Sequence, residues 1–599
     1  MMIAVAHARI ITALTLDIWR CCTRARYTAY MTVHDIFRSR SDQALPVLDS
    51  AQIARIERFG ARACYRDGEL LFEAGRSTFG MFVVIAGKIR ISRYDGLGNS
   101  APITEHGPGE FAGEMSQLSD APTLVNGHAV GAVEALILTT QSLRALLIAE
   151  AELGERIVRA FILRRVELIA SAACGPVLLA SDNHARLHAL QGWLASNGQP
   201  HRVLQPQADA RDHAHAQALY ERYSPHEDAL PLVVCPDGSV QKNPTTVELG
   251  RRLGTLPALP SHKVWDVIVV GAGPAGLATA VYAASEGLSV LVLETRAYGG
   301  QAAASARIEN YLGFPTGISG GALAGRAFVQ SKKFGVEMAI PAPAGRLLCH
   351  SHPLQVEMCG SLQRLQSRTV VIACGARYRR PALANLSQFE GKGVYYWASP
   401  LEARLCKDAQ VILVGGGNSA GQAAVFLSAH AAHVHILIRR DSLVDTMSSY
   451  LIERIAATAN ITVHARSEIT ALIGSNDGAD HGLRQVQVRH HATDAAPARD
   501  TCYDISRVFL FIGADPNTAW LADCGVRVDD HGFILTGHAA APVDGDAPLA
   551  GLETSVPGVF AIGDVRAGST KRVAAAVGEG AAVVSQLHGF LARQPHGRV

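Results

Sequence analysis

One stretch constrains the fold of this 599-residue chain more than any other: VIVVGAGPAGLATAVYAASEGLSVLVLE, residues 267–294. Apolar β-forming residues run into Gly271, Gly273 and Gly276, an apolar helix follows, and a second apolar strand ends at Glu294. Gly271 permits a tight turn from strand to helix, Gly273 lets the backbone approach a pyrophosphate, and Gly276 allows helix and strand to pack closely. The stretch therefore predicts a dinucleotide-binding unit of the Rossmann type.

The ends of this unit indicate which nucleotide it takes. The helix start at Pro274 and Ala275 is typical of a phosphate site, because the amides that follow the proline are free to donate. Glu294 can accept hydrogen bonds from ribose hydroxyls, which favours an unphosphorylated adenosine such as that of FAD or NAD. The alternative is a turn in the protein core that contains glycines for packing alone.

A second copy of the pattern follows in VILVGGGNSAGQAAVFLSAHAAHVHILIRR, residues 411–440. Here the strand ends at Arg439 and Arg440 instead of at an acid. Guanidinium groups match a phosphate dianion and a carboxylate repels it, so this copy favours a 2′-phosphate and hence NADPH. The alternative is an arginine pair on the surface. The predicted contacts in this turn are Gly415, Gly417, Asn418, Ser419 and Ala420. Together the two copies predict a flavoprotein that passes hydride from a nicotinamide to a flavin.

Residues from about 262 to 599 resemble the low-molecular-weight thioredoxin reductases of the pyridine nucleotide-disulfide oxidoreductase family. Besides both glycine turns, the resemblance rests on GGQAAASARIENYLGFP (299–315), RTVVIACGARYRRP (368–381) and VFAIGDVRAGSTKRVAAAVGEGAAV (559–583). It implies that Asp564 bonds the ribitol of FAD and that Arg572, Val573 and Ala574 lie beside the isoalloxazine ring. It also implies a homodimer. The further FAD contacts expected by resemblance are Gly300, Gln301, Asn310, Gly375 and Gly563.

The chain departs from this family at the redox site. The family's two reactive cysteines align with Ala398 and Leu401, and the acid after them aligns with Glu402. Dithiol exchange needs one sulfur to attack and a second to resolve the mixed disulfide, so Ala398 and Leu401 cannot perform it. Cys-x-x-Cys occurs nowhere in the chain, and the electron acceptor is left open. Val444 stands where the family usually has another phosphate-binding arginine.

The first unit, residues 35–170, has short strands separated by glycine turns and flanked by helical patterns at 49–58 and 143–168. This order predicts an antiparallel β-roll and resembles a cyclic nucleotide-binding domain, with Gly113 and Glu114 at the phosphate and ribose positions. The family's phosphate-binding arginine aligns with Leu124. Because its absence forfeits a charge-assisted pair of roughly 1.5–3 kcal/mol, a roll that docks a partner or another ligand is favoured over one that binds cAMP.

The next unit, residues 171–258, has the predicted order β-α-β-α-β-β-α and resembles a thioredoxin or glutaredoxin domain, with Pro231 at the cis-proline position. Ser181-Asp182-Asn183-His184 stand where the active-site cysteines would follow the first strand. The pattern favours an adaptor over a thiol catalyst, and Cys235 is expected in the core.

Composition excludes several classes of function. The 55 Lys and Arg nearly balance the 53 Asp and Glu, which gives no case for nucleic-acid binding. The 11 cysteines show no metal or disulfide spacing, so reduced thiols in a cytoplasmic protein are expected. The i,i+2 histidine pairs, including His433 with His435, suit no metal site. The uncharged run 267–285 belongs to the first glycine turn, so no membrane span is expected.

The sequence thus predicts a multi-domain α/β chain in which a β-roll and a thioredoxin-like domain precede two Rossmann-like domains of the thioredoxin reductase type. The predicted function is an FAD-dependent NADPH oxidoreductase. The alternative is a non-catalytic redox or nucleotide sensor that docks partners through its first two domains. A disordered arm or an overextended start is expected at 1–34, with Met31 as a second start. The β-roll is expected at 35–170 and the thioredoxin-like domain at 171–258. The FAD domain is expected in two parts, 259–382 and 505–599, with the NADPH domain at 383–504 between them.

Overall fold

The computed structural model describes residues 41–594 except 78–79, 95–99, 114, 119–120, 173, 181–184, 205–209, 224, 306, 351, 399, 475–481, 493–496 and 542–549. The arm predicted at 1–34, the candidate residue Glu114 and the segment 181–184 lie outside the described residues. The side chain of Leu401 also lies outside them, although the helix that contains this residue is described.

The first unit is an antiparallel roll in which two long strands, β3 and β6, pair along most of their length. Gly87 lies where β3 turns; its φ is +75°, and a Cβ there would lie 2.3 Å from the carbonyl oxygen of Ala132, so the turn requires glycine. The strands are β1 (Ala61–Tyr65), β2 (Leu70–Phe72), β3 (Met81–Tyr94), β4 (Ser100–His106), β5 (Phe111–Ala112) and β6 (Asn126–Leu138), and the helices are α1 (Ser41–Ala44), α2 (Ser50–Glu57), α3 (Thr140–Ala149) and α4 (Ala151–Ser171).

The helical pattern at 143–168 forms two helices instead of one. Glu150 separates them, with φ −116° and ψ 81°, outside the helical region. Its carboxylate accepts hydrogen bonds from Arg55 of α2 and from Arg58, the residue that follows this helix. The break therefore coincides with contacts to a helix that is distant in the sequence. The hydrophobic pattern at 143–168 carries no information about such contacts.

The second unit has the predicted order of elements around a four-stranded sheet, β10-β9-β7-β8. β7 and β8 are parallel, β9 is antiparallel to β7, and the peptide bond between Leu230 and Pro231 is cis. Cys235 is buried, as expected. The elements are β7 (Val177–Leu179), α5 (Ala185–Ser196), β8 (Arg202–Leu204), α6 (Ala210–Tyr223), β9 (Leu232–Val234), β10 (Val240–Lys242) and α7 (Thr246–Arg252).

The third unit is built on a sheet in which the strands β13, β12, β11, β16 and β27 are parallel. Helices α8 and α15 pack on one face of this sheet in a common core with Val267 and Phe560. Its elements are β11 (Val264–Val270), α8 (Pro274–Ser285), β12 (Val290–Leu293), α9 (Gly300–Ala303), α10 (Gly320–Lys333), β13 (Glu337–Ala339), β14 (Ala344–Leu348), β15 (Leu354–Met358), β16 (Arg364–Ile372), β17 (Ala376–Tyr378), β26 (Ala514–Pro516), β27 (Val559–Ala561) and α15 (Val573–Arg593).

The fourth unit, inserted into the third, repeats the parallel arrangement with the order β18-β25-β19-β20-β21 and adds a three-stranded antiparallel sheet. β25 pairs with β19 and β18, so the chain returns to the third unit after Leu510, and the predicted boundary at 505 comes one strand too early. The elements are α11 (Leu386–Phe389), β18 (Val394–Tyr395), α12 (Pro400–Leu405), β19 (Gln410–Val414), α13 (Asn418–Ser428), β20 (His433–Leu437), α14 (Ser449–Ala456), β21 (Ile461–His464), β22 (Ser467–Gly474), β23 (Leu483–His490), β24 (Arg499–Tyr503) and β25 (Val508–Leu510).

The first two units pack against the third. Val329 of α10 is buried in the helical core of the roll. Arg165 of α4 donates to the carbonyl oxygen of Gly198 at 2.9 Å, and the amide of Asn197 donates to the carbonyl oxygen of Arg296, also at 2.9 Å. These contacts join the roll, the second unit and the end of β12. None of the helices in the described ranges has the length and apolarity needed to cross a membrane.

Candidate functional site

The first glycine turn joins β11 to α8 at very close range. Gly271 has φ +109°, and a Cβ there would lie 2.4 Å from the carbonyl oxygen of Ala373. At Gly276 a Cβ would lie 1.9 Å from the carbonyl oxygen of Gly271, whereas at Gly273 nothing lies within 4 Å. Two glycines thus permit backbone contact, and the third opens the helix start to a ligand. This arrangement fits a pyrophosphate at the N-terminus of α8.

Glu294 follows β12 and turns its carboxylate toward this loop. It accepts hydrogen bonds from the backbone amides of Ala272 at 2.8 Å and Arg296 at 2.9 Å. Burial raises the pKa of Glu294, and the backbone amides around it act in the opposite direction. A carboxylate in this position can accept from ribose hydroxyls, so the geometry is compatible with the predicted adenosine site.

A second wall of the cradle comes from the loop after β12 and the turn after β16. Gly300 begins α9 against Gly273, and a Cβ on Gly300 would lie 3.1 Å from the Cα of Gly273. The amide of Gln301 donates to the carbonyl oxygen of Ala376. Gly375 has φ +60°. These contacts bring the predicted residues Gly300, Gln301 and Gly375 to the same side of α8.

The C-terminal motif closes the cradle. Gly563, with φ +69°, donates from its amide to Glu579 at 2.6 Å and packs against Ala275. Burial raises the pKa of the neighbouring Asp564. Arg572 is the N-cap residue of α15, which begins at Val573 and continues through Ala574. The structure therefore brings this motif to the start of α8, although the two segments lie about 300 residues apart in the chain.

The second glycine turn repeats the first in its opening residue. Gly415 has φ +142°, and a Cβ there would lie 2.4 Å from the carbonyl oxygen of Phe511. Gly417 is the N-cap residue of α13, and Asn418 accepts a hydrogen bond from the amide of Ser448 at 2.7 Å. Ala420 occupies the place of the third glycine and is buried.

Arg439 and Arg440 follow β20 and are both exposed. A guanidinium nitrogen of Arg440 lies 3.7 Å from a carboxylate oxygen of Asp445. The loop after them returns to the glycine turn, because the hydroxyl of Thr446 donates to the carbonyl oxygen of Gly416 at 2.7 Å. The two arginines therefore lie on the same loop system as the turn and face solvent. Val444 of this loop is 70% exposed and supplies no positive charge.

One continuous cavity of about 2100 Å³ connects the two halves of the site. It exceeds the roughly 300–1,000 Å³ of most small-molecule pockets, which suits dinucleotides. Residues of the second turn, Asn418 and Ser419, line it, but the remaining predicted residues of that turn and the arginine pair do not. The predicted FAD contacts that line it are Gly271, Gly273, Pro274, Ala275, Glu294, Gly300, Gln301, Asn310, Gly375, Gly563, Asp564, Arg572 and Val573.

The position of the family's redox cysteines forms part of the cavity wall. Ala398 is buried, and the indole of the preceding Trp397 donates to Glu402 at 3.0 Å. The guanidinium of Arg296 lies 5.4 Å from the centre of the Trp397 ring. Cys406, in the same unit, is buried, and burial raises its pKa to about 11. An aromatic ring, a carboxylate and a guanidinium thus occupy the region where a dithiol would be expected.

In the roll, the structure describes two of the positions predicted from the cyclic nucleotide-binding family, Gly113 and Leu124. Gly113 lies against Phe161, with a Cβ there 3.2 Å from the ring. Leu124 is 7% exposed, so no charged side chain stands at the position of the phosphate-binding arginine. Phe72 and Phe82 pack against each other in the roll, with ring centres 5.3 Å apart.

Several cavity residues were not predicted from the sequence: Arg296, Trp397, Asn517 and Lys571. Asn517 bonds the turn at Gly375, donating its backbone amide to the carbonyl oxygen of Gly375 at 3.1 Å and its side chain to that of Cys374 at 2.9 Å. Lys571 donates to the carbonyl oxygen of Asp564 at 2.5 Å. Lys571 lies inside the closing motif at 559–583, and Trp397 directly precedes Ala398. Both residues could therefore have been predicted from their positions in these motifs. Arg296 and Asn517 are distinguished only by their contacts.

The family model described as "Pyridine nucleotide-disulphide oxidoreductase" matches residues 265–580, which span both glycine turns and the closing motif. The chain belongs to this family. The model described as "Cyclic nucleotide-binding domain" matches residues 62–150, the roll. This member of the pyridine nucleotide-disulphide oxidoreductases is an FAD-dependent NAD(P)H oxidoreductase.

Several relatives are similar to the C-terminal part of the chain. Thioredoxin reductase of Listeria monocytogenes is 30% identical over 319 residues, 53% of this chain and 91% of that protein. Thioredoxin reductase of Treponema pallidum is 32% identical over 322 residues, 53% of this chain and 94% of that protein. The crystal structure of Lactococcus lactis thioredoxin reductase is 26% identical and covers 55% of this chain and 100% of its own, with a TM-score of 0.49.

Proposed function

We propose that this oxidoreductase passes the reducing equivalents of NADPH to an acceptor that binds in the cavity itself, with no dithiol of the chain in between. When bound, FAD supplies the hydride chemistry between the nicotinamide and that acceptor. The observation that carries the proposal is the redox position, where buried Ala398 lines the cavity next to Trp397 in place of a reactive sulfur. Carbon side chains cannot form a mixed disulfide, so the chain offers no covalent relay there.

The same region supports a flat oxidant of the quinone class as the acceptor. Trp397 offers an aromatic ring whose orientation is fixed by its hydrogen bond to Glu402. Arg296 brings a guanidinium, which donates hydrogen bonds to carbonyl oxygens, to within 5.4 Å of that ring. Stacking on the indole and donation from Arg296 would orient such an acceptor.

An anaerobic titration of the purified, FAD-loaded chain with NADPH, followed at the flavin absorption, tests the function. Bleaching within seconds is expected, and a flavin that stays oxidised would contradict it. Adding a soluble quinone, a small aromatic disulfide and a ferredoxin-type protein in separate runs then identifies the acceptor. We expect the quinone to restore the absorption fastest. Faster recovery with the disulfide would overturn the proposed acceptor class but not the reaction with NADPH.

We also propose that NADPH is preferred to NADH. The exposed guanidinium groups of Arg439 and Arg440 support this, because they follow β20 beside the second glycine turn and can meet a 2′-phosphate from solvent. A carboxylate in that position would disfavour the phosphate.

The roll and the second unit are proposed to act as a docking and regulatory module that does not bind cAMP. Buried Leu124 in place of the phosphate-binding arginine supports this. Titrating the full chain into a fluorescent cAMP analogue is expected to show no saturable binding. Binding that unlabelled cAMP displaces would contradict it.

A homodimer is proposed from the resemblance to the reductase family. Sedimentation equilibrium of the FAD-loaded chain is expected to give twice the 63.6 kDa chain mass. A single species at the chain mass would refute the dimer without affecting the proposed reaction.

A further inference from the structure

Two cysteines that are far apart in the sequence meet in the FAD-binding unit, away from the redox position of the family. Cys349 directly follows β14, and Cys524 follows the short turn of helix at Ala519–Leu521. The side chains of Cys349 and Cys524 interact, which raises the pKa of Cys349 and lowers the pKa of Cys524. Both side chains pack in the apolar core on the face of the parallel sheet opposite α8 and α15. The two cysteines therefore belong to one apolar cluster, in which Cys524 is buried and Cys349 is partly exposed.

The backbone on both sides of the pair is held in place. β14 is paired along its length with β15, which continues into the sheet. Next to the pair, a guanidinium nitrogen of Arg346 in β14 lies 3.3 Å from a carboxylate oxygen of Asp523. The sulfur of Cys524 lies 3.1 Å from the carbonyl oxygen of Leu521. These contacts hold β14 against the segment 519–524 and therefore keep the two cysteines in neighbouring segments.

The two cysteines differ in access and in acidity. Cys349 is partly exposed and Cys524 is 3% exposed. The hydrogen bond from the Cys349 thiol lowers the pKa of Cys524, and the same contact with burial raises the pKa of Cys349. Solvent thus reaches one sulfur, and the other is the better thiolate. This division suits a pair in which one sulfur meets the oxidant and the second resolves the mixed disulfide.

We propose that Cys349 and Cys524 form a reversible disulfide that responds to low-molecular-weight disulfides of the glutathione class. Cys349 passes its proton to the Cys524 thiolate as its sulfur attacks the small disulfide, which leaves a mixed disulfide and releases one small thiolate that takes a proton from solvent. Cys524 then attacks the sulfur of Cys349 and expels the second small thiol. Two protein thiols are oxidised to one disulfide and one small disulfide is reduced to two thiols, so two electrons are transferred. Excess small thiol reverses both steps.

The pair is connected to the flavin cradle through one short segment. β26 (Ala514–Pro516) pairs with β17 beside the cavity, and the following Asn517 bonds the turn at Gly375. The helical turn and Cys524 come next along the chain. A disulfide to Cys349 would fasten the end of this segment to β14. Oxidation is therefore expected to restrain the part of the cavity wall that carries Asn517, whichever acceptor the enzyme uses.

Peptide mapping of the intact, FAD-loaded chain tests the pair. The chain is incubated with oxidised glutathione or with dithiothreitol, quenched in acid, alkylated with N-ethylmaleimide under denaturing conditions and digested. The oxidised sample is expected to contain a peptide pair joined through Cys349 and Cys524, lighter by two hydrogens than the sum of the free peptides. The reduced sample should carry the alkyl group on both cysteines.

Cys359→Ser is the matched control, because Cys359 is an exposed thiol just past β15 on the same hairpin. It should leave the joined peptide unchanged, whereas Cys349→Ser and Cys524→Ser should each abolish it. Full alkylation of both cysteines after oxidised glutathione would overturn the proposal. So would a stable glutathione adduct on Cys349 that Cys524 does not resolve.

Limited proteolysis provides a second measurement that does not depend on activity. Cleavage in the segment 514–524 is expected to be slower in the oxidised chain than in the reduced chain, and the difference should vanish in Cys524→Ser. Equal cleavage rates in both states of the unsubstituted chain would refute the proposed restraint on the cavity wall, even if the disulfide forms.

Discussion

The two glycine turns of this chain look alike in sequence but are packed differently. In the first, α8 lies so close to its strand that a Cβ on Gly276 would reach 1.9 Å from a backbone oxygen. In the second, Ala420 stands at the equivalent place and its methyl group is buried without displacing the helix. The residues that end the second strands differ as well. Glu294 is partly buried and bonded to backbone amides, whereas Arg439 and Arg440 are exposed.

This difference separates a resident cofactor from an exchanging one. The first turn lies in a cradle closed by α9, the turn at Gly375 and the C-terminal motif, which suits FAD that stays bound. The second turn presents its arginines to solvent, which suits NADPH that enters and leaves. Closely packed sites hold a ligand by excluding water, whereas exposed charges act mainly on recognition and on the rate of encounter.

The largest expected effect comes from adding a methyl group to the first turn. Gly276→Ala places a Cβ against the carbonyl oxygen of Gly271, and such overpacking costs about 1–3 kcal/mol. We expect the purified variant to lose most of its FAD and to unfold at a lower urea concentration. Ala420→Gly is the matched change in the second turn. It should retain FAD and lose only about 1 kcal/mol through helix propensity. Flavin absorption per chain and urea unfolding measure both effects, and a yellow Gly276→Ala protein of unchanged stability would contradict the comparison.

The second prediction concerns the exposed arginines. In the double variant Arg439→Ala with Arg440→Ala, the charge-assisted pairs with the 2′-phosphate are lost. The binding of NADPH should therefore weaken by about 1.5–3 kcal/mol, or roughly 10- to 150-fold. Steady-state constants for NADPH and NADH are the measurement, and those for NADH and the FAD content should not change. Lys407→Ala, an exposed cation elsewhere in the same unit, is the control. Equal weakening of both nicotinamides would show that the arginines do not recognise the phosphate.

The third and smallest effect is a different response of the two units to acid. His433, His435, His464 and His490 line up between the two sheets of the NADPH unit, next to Tyr503 and near Arg499. Burial, together with neighbouring positive charge, lowers the pKa of His435 to about 4 and also lowers the pKa of His464 and His490. Protonation therefore favours the unfolded state. The neutral histidines therefore stabilise the folded state fully above about pH 6.5, and this stabilisation is lost as the pH falls toward about 4.

In the FAD unit the corresponding carboxyl groups respond in the opposite direction. The pKa values of Glu294 and Asp564 are raised by burial, so protonation does not disfavour their folded state. Hydrogen exchange at about pH 7.5 and about pH 5 should show loss of protection first in β20–β24, by on the order of 1 kcal/mol. His435→Gln should reduce this difference. Equal loss of protection in β11–β16 would contradict the prediction.

These histidines also show where local patterns stop being informative. The i,i+2 spacing of His433 and His435 predicted no metal site. The sequence did not predict that the histidines would form a cluster. His435 and His464 meet at 3.0 Å because β20 and β21 are neighbouring parallel strands, a register that is decided by the whole sheet. The break at Glu150 and the strand β25 were missed for the same kind of reason.

Four features of the protein can be read directly from its sequence: the order of the four units, both glycine turns, the absence of Cys-x-x-Cys and the opposite charges that end the two second strands. These features depend on backbone conformation and on side chains that are near one another along the chain. Only the tertiary structure decided that Cys349 meets Cys524, that Arg296 lies over Trp397 and that Asn197 ties the second unit to β12. Such contacts join residues from separate elements, and their positions follow from the packing of complete sheets and helices instead of from any local spacing.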